Sequence, residues 1–144
     1  MFEEHVVSFE FLDHTADIII RATGLDLKEA FAQAALGTYE VMTDISKIEP
    51  NIKKEIAIES EDIESLLFDW IEHLLFLFDT EHFVSNNICV TKLDKIDDVG
   101  YRLEVILKGE EFDLEKHSQK NEVKAMTYSF IKIDSNSVEF TLDL

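Results

Sequence analysis

Two segments of the chain carry apolar residues at intervals of three and four positions, a spacing that predicts amphipathic helices. The first is predicted over about residues 27–43. Asp26 and Glu29 form an N-cap pattern there, in which each side chain can accept a hydrogen bond from a free backbone N–H. The second is predicted over about residues 61–79, capped by Ser60. We expect its broad apolar face to be buried, with Trp70 in the core and Phe76 outside that face.

Most of the remaining chain alternates apolar and polar residues with a period of two, which predicts β-strands. The strand-like run around Cys89 suggests a small core residue rather than a nucleophile. A turn is predicted at residues 135–137, and residues 109–121 are the expected long loop. The strands are predicted over residues 9–12, 16–22, 55–59, 101–108, 123–134 and 138–142.

The predicted order of elements, ββαβαββββ, lacks the regular helical crossovers of a parallel sheet. It therefore predicts the α+β class: a two-layer sandwich with two helices packed on a mostly antiparallel β-sheet. The 144 residues contain no internal repeat and no linker rich in Pro, Gly or Ser. We expect one domain over residues 1–144, long enough to bury a substantial core.

The chain is strongly acidic, with 13 basic residues against 31 acidic ones and a formal charge of −18. Because nucleic-acid binding depends on Lys and Arg against phosphate, we expect no direct binding of RNA or DNA. The charge suits a cation or a basic patch on another protein, and it is equally typical of a simple solubility device.

The expected location is the cytoplasm. A single cysteine cannot form an internal disulfide and is compatible with a reducing compartment. The N-terminal residues lack the pattern of a signal peptide. The longest apolar run, residues 74–78, is too short to cross a bilayer, so no membrane association is expected.

No nucleophile elbow, Gly-rich phosphate loop, Cys pair or metal-binding spacing of histidines is present in the sequence. Two aspartates stand out instead. Asp17 and Asp143 lie near opposite ends of the chain, each beside an apolar, strand-like run. If the two meet at one sheet edge, their carboxylates could share a hard cation, which prefers oxygen ligands. Taken alone, Asp17 is more readily interpreted as a strand-start or turn residue that accepts backbone hydrogen bonds than as a metal ligand.

Several segments, in register over nearly the whole chain, resemble the archease family. The first is Asp13-His14-Thr15-Ala16-Asp17-Ile18, and the last is Leu142-Asp143-Leu144. Between them lie similar segments at residues 29–37, 66–78, 109–117 and 123–128. Any one of these matches is weak, whereas six in the expected order form a specific pattern.

The resemblance implies the archease fold and a non-catalytic role in tRNA splicing. Archeases activate the RtcB-type RNA-splicing ligase, which joins a 2′,3′-cyclic phosphate or 3′-phosphate end to a 5′-hydroxyl end using GTP and a divalent metal. By resemblance, this chain promotes guanylylation and multiple turnover of that ligase. A divalent ion (Ca²⁺, Mg²⁺ or Mn²⁺) is then expected on Asp17 and Asp143, with the main-chain oxygen or carboxylate of Leu144.

Four further residues are candidates for contacts around that ion or with the partner. His14 and Thr15 are expected to fix the turn before Asp17, and Asp13 is either a supporting acid or a solvated residue. Lys124 is a candidate cation beside the acidic pair, able to bridge to a phosphate or a partner carboxylate. Two alternatives stay open: a small metal-dependent hydrolase, and a chaperone-like binding module that uses an exposed Phe76.

Overall fold

The structure, a computed structural model, describes residues 7–14, 16–98 and 100–144, with the backbone alone at Asp13, His14 and Ser129. The two helices are α1 (Leu27–Met42) and α2 (Ile63–Glu81), and a short 3₁₀ turn covers Ile45–Lys47. The strands are β1 (Ser8–His14), β2 (Asp17–Thr23), β3 (Ile52–Ser60), β4 (Phe83–Ile96), β5 (Gly100–Glu111), β6 (Ala125–Ile133) and β7 (Ser137–Asp143). This element order is the predicted one.

The strands form two separate sheets in which all neighbours are antiparallel. One sheet has the order β1-β2-β7-β6, and the other has the order β3-β5-β4. The connection between β5 and β6 carries the chain from one sheet to the other. The predicted α+β class is thus confirmed, and the division into two sheets is the feature that alternation could not reveal. Alternation assigns each residue to a face, but it does not choose a strand's neighbour.

Both helices contact both sheets and join them through one core. Helix α1 packs mainly on β2 and β4, and α2 packs mainly on β6 and β3. The indole N–H of Trp70 donates to the carbonyl of Phe31 at 3.0 Å, which ties the helices together inside the core. Trp70 is fully buried, as the sequence predicts. A buried indole N–H needs such an acceptor, because leaving it unpaired would cost free energy.

The helix caps agree with the sequence at one helix and differ at the other. The Asp26 carboxylate accepts from the Glu29 N–H at 2.9 Å, which confirms the cap of α1. The cap of α2 is Asp62, whose carboxylate accepts from the Ser65 N–H at 2.7 Å, so the prediction of Ser60 is wrong. Ser60 is instead the last residue of β3, paired with Tyr101. Its extended, sheet-bonded backbone places it two residues before the cap and three before the first residue of the helix.

Two further expectations concern exposed side chains. Phe76 is 58% exposed, in agreement with its position outside the apolar face of α2. Cys89 is exposed, so the prediction of a core cysteine is wrong. Cys89 pairs with Ile106, one residue from the pair of Ile88 with the fully buried Leu107. Strand alternation therefore places Cys89 on the outer face of the three-stranded sheet.

The long loop begins three residues later than the sequence indicates, because β5 continues through Gly109 to Glu111. Gly109 is required in this strand, since a Cβ there would lie only 1.9 Å from the Val84 carbonyl oxygen. Residues 112–124 then return to the end of α1. Within the described residues, neither helix combines the length and apolarity needed to span a membrane.

Candidate functional site

Asp17 and Asp143 lie directly opposite each other in neighbouring strands. Asp17 opens β2, Asp143 ends β7, and the two are register partners in an antiparallel ladder. The Leu144 N–H donates to the Ala16 carbonyl at 3.1 Å and continues the pairing by one residue. The start of β2 and the end of β7 therefore meet at one end of the four-stranded sheet.

The two carboxylates share the outer face of that sheet. Directly opposed residues project to the same side, with Cβ atoms about 4.5–5.5 Å apart. The next pair along the strands, Ile18 with Leu142, is buried and faces the core. Asp17 is exposed and Asp143 is partly buried, so both remain accessible to solvent.

The third strand, β6, completes the surroundings of Asp143. Ala125 is the register partner of Asp143, and the Lys124 N–H donates to the Asp143 carbonyl at 2.8 Å. On this side, the side chain opposite Asp143 is therefore only the methyl group of Ala125. Sequence reasoning missed Ala125, because no local pattern reveals which residue of β6 lies opposite Asp143.

No basic side chain that the structure describes neutralises the pair. Across residues 7–14, 16–98 and 100–144, neither Asp17 nor Asp143 takes part in an ion pair. Arg21, further along the same face, binds Glu139 at 2.7 Å and Glu10 at 3.0 Å. Like charges directly opposite each other destabilise a sheet, so this arrangement favours a bound cation.

The donor set fits a hard divalent ion with a largely hydrated shell. The described residues contain no group of three or more His, Cys, Asp or Glu side chains placed to hold a metal. A metal site here would consist of the two carboxylates together with a main-chain oxygen such as that of Leu144. Ca²⁺ and Mg²⁺ accept such ligands and keep waters, whereas structural Zn²⁺ sites use four Cys or His ligands.

The structure describes only some of the residues that the sequence suggests for contacts around the ion. The backbones of Asp13 and His14 pair with Ile19 and Ile18 in the β1–β2 ladder. The side chains of Asp13 and His14, and all of Thr15, lie outside the described residues, so their roles stay predictions. Lys124 has an exposed side chain that lines a groove beside α2, described below.

The fold and site together define a small α+β protein with an accessible carboxylate pair where β2 and the last strand, β7, meet, and no described side chain forms an ion pair with it. The model of the Archease protein family (MTH1598/TM1083) matches residues 9–144. This chain belongs to the archease family.

Similar proteins come from archaea and from a vertebrate. The chain is 45% identical to "Protein archease" of Sulfurisphaera tokodaii over 134 residues, which are 93% of this chain and 94% of that protein. It is 40% identical to "Protein archease" of Danio rerio over 126 residues, 87% of this chain and 76% of the relative. The solution structure of Methanobacterium thermoautotrophicum protein 1598 has a TM-score of 0.81 and 41% identity, covering 96% of this chain and 100% of that one.

Proposed function

We propose that this protein is a non-catalytic activator of an RtcB-type RNA-splicing ligase and promotes its guanylylation and multiple turnover. Membership of the archease family supports this assignment. The observation that supports a metal site is the register pairing of Asp17 with Asp143 on the outer face of the sheet. The proposed location is the cytoplasm, where the ligase and its tRNA substrates would be found.

Asp17 and Asp143 would hold the divalent ion, Ca²⁺, Mg²⁺ or Mn²⁺, with the main-chain oxygen of Leu144 as a further ligand. When bound, the ion would supply positive charge and exchangeable water positions to phosphate oxygens. The ladder between β2 and β7 holds the two carboxylates at a fixed separation, so the chain loses little conformational freedom on binding. Lys124 would offer a second cation close by, to a phosphate or to a carboxylate of the ligase.

The acidic surface would direct this protein to the ligase rather than to RNA. A formal charge of −18 repels phosphate over most of the molecule. The same charge attracts a basic patch on a protein partner and speeds its association. Recognition of the RNA ends would therefore belong to the ligase.

The test is multiple-turnover ligation by the partner enzyme, on RNA ends bearing a 2′,3′-cyclic phosphate and a 5′-hydroxyl. With Asp17→Asn or Asp143→Asn, we expect the number of turnovers to fall by about tenfold or more, since each substitution removes one of the two negative charges that attract the ion. Asp98→Asn is the matched control, an exposed aspartate in the β4–β5 turn. Lys124→Ala belongs in the same series, and unchanged activation would remove Lys124 from the site.

Two results would contradict the proposal. If the Asp17 and Asp143 variants activate as well as the wild type while Phe76→Ser does not, the protein is a chaperone-like module. If the isolated protein hydrolyses phosphodiesters or nucleotides and Asp17→Ala abolishes that turnover, it is a metal-dependent hydrolase.

A further inference from the structure

A groove with an aromatic floor and acidic rims lies between the end of α2 and residues 112–124. It consists of two adjoining cavities of about 820 and 540 Å³ that share Phe78, Asp79, Phe112 and Gln119 as lining residues. We call it the acidic groove, defined by Phe78 and Phe112 on its floor and by Asp79, Glu111, Asp113 and Glu122 around it.

The floor of the acidic groove is a set of packed rings. Phe112 contacts Phe78 edge to face, with ring centroids 5.6 Å apart. On its other side, Phe112 stacks on the imidazole of His117 at 5.5 Å. His117 is 2% exposed, so the floor rests on a buried side chain. Half-buried rings in this arrangement present an apolar surface that can pack against aliphatic chains or cations.

The wall formed by residues 112–124 is held in place by hydrogen bonds. The Asp113 N–H donates to Nδ1 of His117 at 2.9 Å, which leaves Nε2 of His117 to donate to Glu110 at 2.9 Å. Further along, the backbone N–H groups of Lys120 and Asn121 donate to carbonyls at the end of α1, at 3.0 and 3.1 Å. The groove is therefore preformed, which lowers the entropic cost of binding.

The rim of the acidic groove is negatively charged, and no described basic side chain forms an ion pair with it. The carboxylates of Asp79, Glu111, Asp113 and Glu122 are exposed, and none has an ion pair among the described residues. Lys124 is the single lysine or arginine lining the groove in the part of the chain that the structure describes. Its N–H donates to the carbonyl of Asp143, so this end of the groove lies next to the carboxylate pair.

We propose that the acidic groove binds an extended segment of the ligase that carries lysine or arginine side chains between apolar ones; this inference rests on the proposed function. The aliphatic stems of such residues would pack on Phe78 and Phe112 while their charged ends reach the rim carboxylates. Phosphate would meet four negative charges there, which excludes RNA as the occupant. A second copy of this chain, with its charge of −18, is likewise repelled. One ligase could then contact the groove and the Asp17/Asp143 pair together.

The first test compares two variants with the same change in net charge. The groove variant carries Asp79→Asn, Glu111→Gln and Asp113→Asn, and the control carries Glu61→Gln, Asp94→Asn and Asp98→Asn. The control residues lie around the opposite end of the β4–β5 hairpin and are exposed. Each variant is titrated against the ligase. Half-maximal activation should need about tenfold more of the groove variant than of the control, because charge complementarity governs the encounter of the two proteins. The maximal rate of ligation should be the same for both. Equal half-activating concentrations for both variants would overturn the groove proposal.

The second test separates the groove from the activator role. The probe is a blocked nonapeptide of alternating Arg and Leu, and the control is a nonapeptide of alternating Glu and Leu. Binding of each peptide is measured by the shifts it causes in the backbone NMR signals of this protein. Shifts at Phe112 and Gln119 with the basic peptide, lost in the groove variant, support the groove even if the wild type fails to activate the ligase. Equal shifts with spermidine, with single-stranded RNA or with the acidic peptide would overturn it.

Discussion

At the scale of single residues, Glu110 joins three parts of the chain. Its carboxylate accepts from the Glu49 N–H at 2.7 Å, from Lys116 Nζ at 2.8 Å and from His117 Nε2 at 2.9 Å. Burial raises the pKa of Glu110, but the hydrogen bonds from Lys116, the Glu49 N–H and His117 outweigh it and lower the pKa to about 2. The charged carboxylate thus anchors the wall of the acidic groove.

This pKa predicts how stability depends on pH. A carboxyl group whose pKa is depressed in the folded state contributes stability above its unfolded pKa of about 4.5, and loses it as pH falls towards 2. Glu110→Gln should lower the free energy of unfolding at pH 7 by about 2 kcal/mol, less than the full shift implies because the edge of the site is hydrated. It should also flatten the loss of stability between pH 4.5 and 2.

Urea unfolding at a series of pH values measures this effect. Glu64→Gln, at an exposed position of α2, is the control and should leave the pH profile unchanged. A Glu110→Gln variant that keeps the wild-type profile would show that the folded-state pKa of Glu110 is not depressed.

At the scale of elements, helical periodicity predicted both helices to within about two residues, because the stripe of buried positions is local information. The start of α2 was the harder part, since Ser60 and Asp62 are both competent caps. Strand pairing outside the helix decides which residue is the cap. Strand β3 pairs with β5 as far as Ser60 and Tyr101, and this pairing keeps Ser60 in the sheet. Tertiary pairing, which the helix sequence does not contain, selected the cap.

The two candidate caps can be distinguished by substitution. Asp62→Ala removes the acceptor of the Ser65 N–H and should lower the melting temperature by roughly 3 °C. Ser60→Ala removes only an exposed hydrogen bond of 2.6 Å from the Ser60 hydroxyl to the Asp69 carboxylate. This substitution should change the melting temperature much less. Calorimetry of both variants measures the two melting temperatures. A larger decrease for Ser60→Ala than for Asp62→Ala would contradict the assignment of Asp62 as the cap.

At the scale of the whole molecule, charge dominates the expected interactions. The formal charge of −18 is spread over a fold whose candidate metal pair and acidic groove lie next to each other. Both sites therefore attract cationic groups to the same region. Association controlled by such a field depends on ionic strength, because salt screens charges beyond about 8 Å at physiological concentrations.

Activation of the ligase should accordingly weaken as salt rises. Between 50 and 500 mM added salt, we expect the half-activating concentration of this protein to increase by about tenfold or more, through slower encounter. The ligase alone, assayed over the same range, corrects for its own response to salt. A half-activating concentration that does not change with salt would count against electrostatic docking.

By itself, the sequence determined the order of the elements, the buried faces of the two helices and the family. These follow from short-range periodicity and from local segments in register. Only the tertiary structure decided the division into two sheets, the partnership of Asp17 with Asp143 and the construction of the acidic groove from α2 and residues 112–124. The physical reason is that strand pairing and loop packing join residues that are distant in the chain, whereas a periodic pattern reports only on near neighbours.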